Sequence, residues 1–202
     1  MGCGSANSID NKVVIFLIGK PGCGQKLQGK KVSEKLGDCS HIHLEGLIRH
    51  EMLRKSSMKL DQINENKLVP SKDLVEVLYE KICHKNTNYI LIDGFPKIEE
   101  NITEWKKLIG KKFKILALIH LNISNEIMYE REKEKIEEMG RHFVENKHKR
   151  FMNETVPLLE KLKNEINFIE ENGEKEINDI NQNILTQINK IINEKKYCHL
   201  EN

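Results

Sequence analysis

Long apolar runs are missing from this chain of 202 residues; the longest covers only six, residues 13–18. That is far short of the roughly 20 residues a membrane-spanning helix needs. A basic segment followed by a long apolar stretch, the mark of a secretory leader, is also lacking. Paired cysteines are lacking too. The five cysteines, Cys3, Cys23, Cys39, Cys83 and Cys198, are odd in number and scattered, with no C-x-x-C pair and no zinc spacing. Reduced thiols in a cytoplasmic compartment are the expectation. Charge of one sign is not in excess, since 33 basic and 31 acidic residues leave a net charge of +2, with lysine and glutamate interleaved. Such mixing describes a solvated surface and argues against a nucleic-acid partner. Arginine is scarce, with only Arg49, Arg54, Arg131, Arg141 and Arg150. Guanidinium grips phosphate bidentately and ammonium does not, so these five are candidate ligand contacts.

Apolar segments of strand length alternate with segments of helical period. Strands are expected at 13–18, 41–44, 89–93, 113–121 and 166–169. Helices are expected at 25–36, 45–55, 71–85, 99–109, 124–138 and 151–163, with residues 140–149 irregular and basic. Ser71 after Pro70 has the character of an N-cap. Ile177, Ile180, Ile184, Ile188 and Ile191 form one more helical stripe, expected to seal a sheet face. The alternation implies an α/β fold around a central parallel sheet. Ligands in such folds sit at the carboxyl ends of the strands.

The strongest motif follows the first strand. Gly19-Lys20-Pro21-Gly22-Cys23-Gly24-Gln25-Lys26-Leu27 has the glycine spacing of a phosphate-binding loop, G-x-x-x-x-G-K-[ST]. Glycines let backbone N–H groups turn toward an anion, and the following helix adds its dipole. The slot for the loop lysine holds Gln25. Lys26 lies one residue on and points about 100° around the helix. Asp93 closes the third strand and would share the loop's end of the sheet. His41 and His43 alternate onto one strand face near Cys39, but two histidines without further ligands make a weak metal signal.

The loop resembles the G-x-P-G-x-G-K-G-T-Q of nucleoside monophosphate kinases, Pro21 and Gln28 included. Leu91-Ile92-Asp93-Gly94-Phe95-Pro96-Lys97 resembles their L-[IV]-D-G-[FY]-P-R. Lys67-Leu68-Val69-Pro70 and Thr155-Val156-Pro157 match two further segments, so all four prolines fall on family positions. The resemblance is to the adenylate kinase and UMP-CMP kinase group, as a divergent member with a degenerate loop. It covers about residues 12–195 and implies a three-layer P-loop NTPase fold, with a short helical monophosphate-binding insert near 44–70 and a reduced lid near 136–149. Residues 1–11 and 196–202 are expected as tails.

What the resemblance implies for single residues follows by position. Residues Gly19 to Leu27 would hold ATP. Arg49 would grip the acceptor phosphate, with Lys97 in place of an arginine beside it. Asp93 would organise the hydration shell of Mg2+. Leu44, Gly94 and Asn101 would line the acceptor site, with Asn101 as a base-reading amide; asparagine there is similar to the pyrimidine-using branch. Arg131 and Lys135 would flank the donor, and Arg141, with Lys147 or Arg150, would reach over from the lid. The departures fall on the chemistry, Gln25 for lysine and Leu27 for the hydroxyl that ligates magnesium. Two readings stay open. One is a phosphotransferase moving the terminal phosphate of ATP to AMP or UMP/CMP at reduced rate. The other is a catalytically impaired nucleotide-binding module. Gly2 and Cys3 are candidate acylation sites that would bring membrane contact, although the sixth position holds Ala6 where serine or threonine is preferred. The family is usually monomeric, and a monomer is expected.

Overall fold

Strand β1 (Val13–Gly19) lies at the centre of a five-stranded sheet because its side chains are apolar on both faces. Val14, Phe16 and Ile18 point to one core, and Ile15 and Leu17 to the other. The computed structural model describes residues 12–55 and 69–198. The other strands are β2 (Cys39–His43), β3 (Tyr89–Asp93), β4 (Lys114–Asn122) and β5 (Phe168–Asn172). Their spatial order is β2-β3-β1-β4-β5, and every neighbouring pair is parallel. The chain leaves β1 toward one edge and later returns past it toward the other. The carboxyl end of β1 is therefore where connections diverge and a crevice opens.

Helices cover both faces. Helix α1 (Gln25–Leu36) and the last helix, α9 (Ile177–Cys198), cover the face carrying Ile15 and Leu17, with Val32, Ile180, Ile184 and Ile188 buried. Ile177 begins the expected stripe but is 45% exposed, so the seal starts one turn later. Helices α2 (Leu44–Lys55), α3 (Ser71–Cys83) and α4 (Glu99–Leu108) follow β2, the 56–68 segment and β3. On the face of Val14 and Phe16 they contribute Leu47, Leu78, Ile82, Ile102 and Trp105. Trp105 has no exposed surface and meets Phe16 edge-on at 5.2 Å and Phe95 at 5.5 Å. The monophosphate-binding insert expected near 44–70 is described only at its two ends, and Lys67 and Leu68 lie outside the described residues.

Three expectations need correction. Ser71 is the first helical residue and not the cap; the position before it is Pro70, and the Ser71 hydroxyl instead donates to Glu100 Oε2 at 3.0 Å. The strand expected at 166–169 lies two residues later. Its ladder pairs Phe168 with Leu118 and continues through polar residues to Asn172. The stretch expected to be irregular is helical. After α5 (Asn125–Arg131, capped by Ser124) and α6 (Lys133–Met139), Gly140 turns at φ 84° into α7 (Arg141–Arg150). Val144 of α7 has no exposed surface, so this charged helix is docked by an apolar face. A π-helical turn, Phe151–Thr155, then leads into α8 (Val156–Leu162). No helix among the described residues is long and apolar enough to cross a membrane, and Gly2 and Cys3 lie outside those residues.

Candidate nucleotide-binding site

At the end of β1 the backbone must turn within five residues into α1. Gly24, the residue before α1, adopts φ 83°, a left-handed conformation that glycine enters without a side-chain penalty. A Cβ on Gly19 would lie 2.5 Å from the Leu121 carbonyl and 2.6 Å from Cys23 Sγ, so the chain passes too close for any other residue. The turn is closed by the Cys23 N–H donating to the Lys20 carbonyl at 3.1 Å. No side chain caps α1 and its first turn carries no acid, which leaves its leading N–H groups available to an anion. Cys23 plugs the loop from beneath; burial pushes its thiol up to about 12 and makes it a packing group.

The side chains of the loop supply little charge to the crevice. Lys20 donates to Asn125 Oδ1 at 3.1 Å and faces Glu126 and Glu174, with burial lowering its proton affinity. Lys26 is exposed, and Leu27 is 43% exposed with no hydroxyl to offer. Gln25 orients its amide by chain geometry. Cys23 Sγ lies 3.9 Å from Oε1, while Nε2 faces Gly94, 3.5 Å from where a Cβ on that glycine would sit. Gln28 is structural, donating to the Ile177 carbonyl at 2.9 Å.

Asp93 ends β3 between β1 and β2, in register with His43. His41 Nε2 lies 2.6 Å from its Oδ2 and His43 Nδ1 2.7 Å from its Oδ1. Burial works to raise this carboxyl, but the two hydrogen bonds and the imidazoles' charge outweigh it and hold the group below the usual carboxylate range. The sequence put the two histidines on one face; their shared partner, about 50 residues away, left no local signal. Asp93 has no exposed surface and both oxygens already accept hydrogen bonds. No group of three His, Cys, Asp or Glu side chains suited to a metal exists among the described residues. With Leu27 in the hydroxyl slot, these residues do not fit a protein-held magnesium ion; a magnesium ion would enter with the triphosphate, as part of the substrate.

Among the residues that the resemblance assigns to an acceptor, Arg49 is exposed on α2 with no hydrogen-bond or ion-pair partner among the described residues. Leu44 is buried, its Cβ 3.8 Å from the position a Cβ on Gly94 would take. Asn101 is 2% exposed and its amide is already engaged. Oδ1 accepts from the backbone N–H of Lys97 at 3.0 Å and of Ile98 at 3.3 Å, and Nδ2 donates to Ser71 Oγ at 2.9 Å. In place of the base-reading role expected of it, Asn101 fixes the 97–98 backbone. The Lys97 carbonyl accepts from Thr155 Oγ1 at 2.7 Å, so this residue is held from both sides. Its side chain reaches solvent, while protein atoms crowd around it. Burial lowers its proton affinity; Lys147 and Arg150 push the same way, and Glu45 and Asp93 oppose.

The remaining candidates divide. Arg131 Nη1 donates to the Gly173 carbonyl at 2.8 Å and the Gly22 carbonyl at 3.3 Å, joining the phosphate loop to the β5–α9 connection. Lys135 is held by both oxygens of Glu132, at 2.7 and 2.8 Å. Arg141 pairs with Glu145 at 2.8 Å and lies over the Tyr129 ring. The α7 cations near Lys97 are Lys147, which reaches Glu45 of α2 at 3.5 Å, and Arg150.

Comparison with known proteins points to one family. A family model described as adenylate kinase matches residues 17–167. The UMP-CMP kinase of Homo sapiens is 26% identical over 162 residues, covering 73% of this chain and 82% of that protein. The UMP-CMP kinase of Gallus gallus is 30% identical over 138 residues, covering 64% and 70%. That of Prunus armeniaca is 36% identical over 100 residues, covering 48% and 43%.

Proposed function

Because the chain belongs to the adenylate kinase family, we propose that it transfers the terminal phosphoryl group of ATP to a nucleoside monophosphate, at a reduced rate. The observation that carries this reading is the loop after β1, where no side chain caps α1 and Gln25, its first residue, borders the same glycine, Gly94, as Lys97 does. The loop amides hold the donor phosphates. Arg49 and Lys97 hold the acceptor phosphate, and Lys147 and Arg150 flank the cleft from the lid. An acceptor phosphate oxygen attacks the terminal phosphorus in line, one P–O bond forms as the bond to the departing diphosphate breaks, and no covalent enzyme intermediate is needed. Catalysis of this kind is positioning and charge stabilisation. That these relatives are named UMP-CMP kinases supports UMP or CMP as this chain's acceptor.

The rate follows from what is missing. Removing one transition-state donor commonly costs about 10²–10³ in kcat. With a neutral amide at position 25, turnover is expected two to three decades below the upper end of ordinary enzymes, roughly 10³ per second. A second reading, a nucleotide-binding module without turnover, is favoured by one specific observation, that both oxygens of Asp93 are committed to His41 and His43. A coupled assay of ATP with AMP, UMP and CMP decides between the two. Slow turnover with one acceptor supports the first reading. Binding of ATP with no turnover for any pair supports the second, and absence of any nucleotide-induced rise in Tm overturns both.

A further inference from the structure

We propose that Lys97 serves both phosphates of the reaction, supplying to the donor the charge that the motif normally places at position 25 while also holding the acceptor. This rests on the phosphotransfer reading above and goes beyond it by assigning the missing cation.

The argument begins with placement. Gln25 Nε2 and Lys97 Cε both lie within 4 Å of one point, the position a Cβ would take on Gly94, at 3.5 and 3.9 Å. The stem of Lys97 and the amide that fills the lysine slot thus border the same glycine. Its ammonium makes no hydrogen bond or ion pair with any described residue. Of the other candidate cations, Arg49 is assigned above to the acceptor phosphate and Arg150 stands beside Lys97 on α7, while the rest are engaged or turned away. Lys20 is bound to Asn125, Arg131 to two carbonyls, Lys135 to Glu132, Arg141 to Glu145 and Lys147 to Glu45. Lys26 is exposed one residue past the slot.

Residue type fits the double role. A guanidinium presents a rigid planar fork that saturates one phosphate, whereas an ammonium is a compact charge with three rotatable donors on a flexible stem. The loss of lysine at 25 and the presence of lysine at 97 are then one change in two places. The backbone on which the stem turns is fixed by Asn101 and Thr155. The groups facing the ammonium are Glu45 on α2, Asp93 on β3, and Lys147 and Arg150 on α7, with His43 of β2 beside Glu45. An arriving polyphosphate relieves the repulsion from the two lid cations.

The test compares wild type with Lys97→Met, Lys97→Arg, Gln25→Lys and the Gln25→Lys/Lys97→Met double variant. Each is checked by thermal melt, then read by kcat, by KM for both substrates, and by displacement of a fluorescent ATP analogue. Lys97→Met is expected to lower kcat at least 100-fold and weaken ATP binding at least tenfold. Adding Gln25→Lys to it should recover at least tenfold in both, leaving the acceptor KM high. Lys97→Arg should keep the acceptor KM within threefold and still lose kcat more than tenfold. A rise in acceptor KM alone, with kcat and ATP binding within twofold, overturns the assignment. So does a double variant no better than Lys97→Met. If wild type binds ATP but turns over no pair, the phosphotransfer reading fails and ATP displacement alone decides on Lys97, a tenfold weakening in Lys97→Met supporting donor contact and unchanged binding overturning it. If wild type binds no triphosphate, both fall.

Discussion

Replacing Asp93 by alanine should destabilise the fold more than replacing it by asparagine, and the gap measures how the carboxylate holds β2 to β3. Two imidazoles donate to a side chain with no exposed surface. Hydrogen bonds to a charged group contribute about 1.5–3 kcal/mol each. The His41 and His43 side chains are 15% and 24% exposed, so water recovers part of what is lost. About 3–4 kcal/mol is therefore expected for Asp93→Ala. An asparagine can keep both contacts if one imidazole takes its other tautomer, which lowers the cost to about 1–2 kcal/mol. For a domain of this size each kcal/mol moves Tm by about 2–4 °C, so Asp93→Ala should melt roughly 10 °C below wild type. The pH dependence has a definite sign. The carboxyl is held below its ordinary value, so its contribution is complete above about pH 4, the unfolded value, and fades as pH falls through the folded one. The advantage of wild type over Asp93→Asn, measured by urea titration at pH 6, should shrink on going below pH 4. A loss under about 1 kcal/mol for Asp93→Ala, or a gap unchanged at pH 3, would refute the reasoning.

Trp105→Ala removes the largest side chain of the core between Phe16 and Phe95, and should cost about 3–5 kcal/mol in denaturant titration. Gly24→Ala places a side chain at φ 83° with nothing within 4 Å of it; the cost is conformational alone, about 1–2 kcal/mol, and should appear in Tm. Cys23, with its thiol raised to about 12 by burial, should resist iodoacetamide at pH 7.5 in the folded protein and be alkylated in urea, as read by peptide mass spectrometry.

Strands β1, β3 and β4 were legible because a buried parallel strand is apolar on both faces and leaves an unbroken run. The last strand was displaced for the opposite reason. At an edge it continues through Glu170, Glu171 and Asn172, and Ile166, which opened the apolar cluster, packs on the same core as Phe168 but before the ladder begins. Helix α7 was hidden by its charge, since within Arg141–Arg150 only Phe143 and Val144 are apolar and two adjacent residues show no period. The loop was legible from glycine spacing, a local property. What Asp93 and Asn101 touch was not. The first is decided by strand pairing across some fifty residues, and the second by a side chain turning back onto its own helix start, a local bond that competes with any outward role.

The wide turn at Phe151–Thr155 acts as a phase lock between α7 and the backbone that follows β3. Its last residue delivers a hydroxyl to the Lys97 carbonyl, while Phe151, at its start, is buried. Adding or removing one residue downstream of Phe151 would swing Thr155 by about 100° around the axis and release Lys97. Upstream, Gly140 breaks the helical rod, so length gained or lost there leaves that angle untouched. Descendants of this chain are thus free to lengthen or trim the helical segment on the near side of Gly140, and bound to keep their count on the far side.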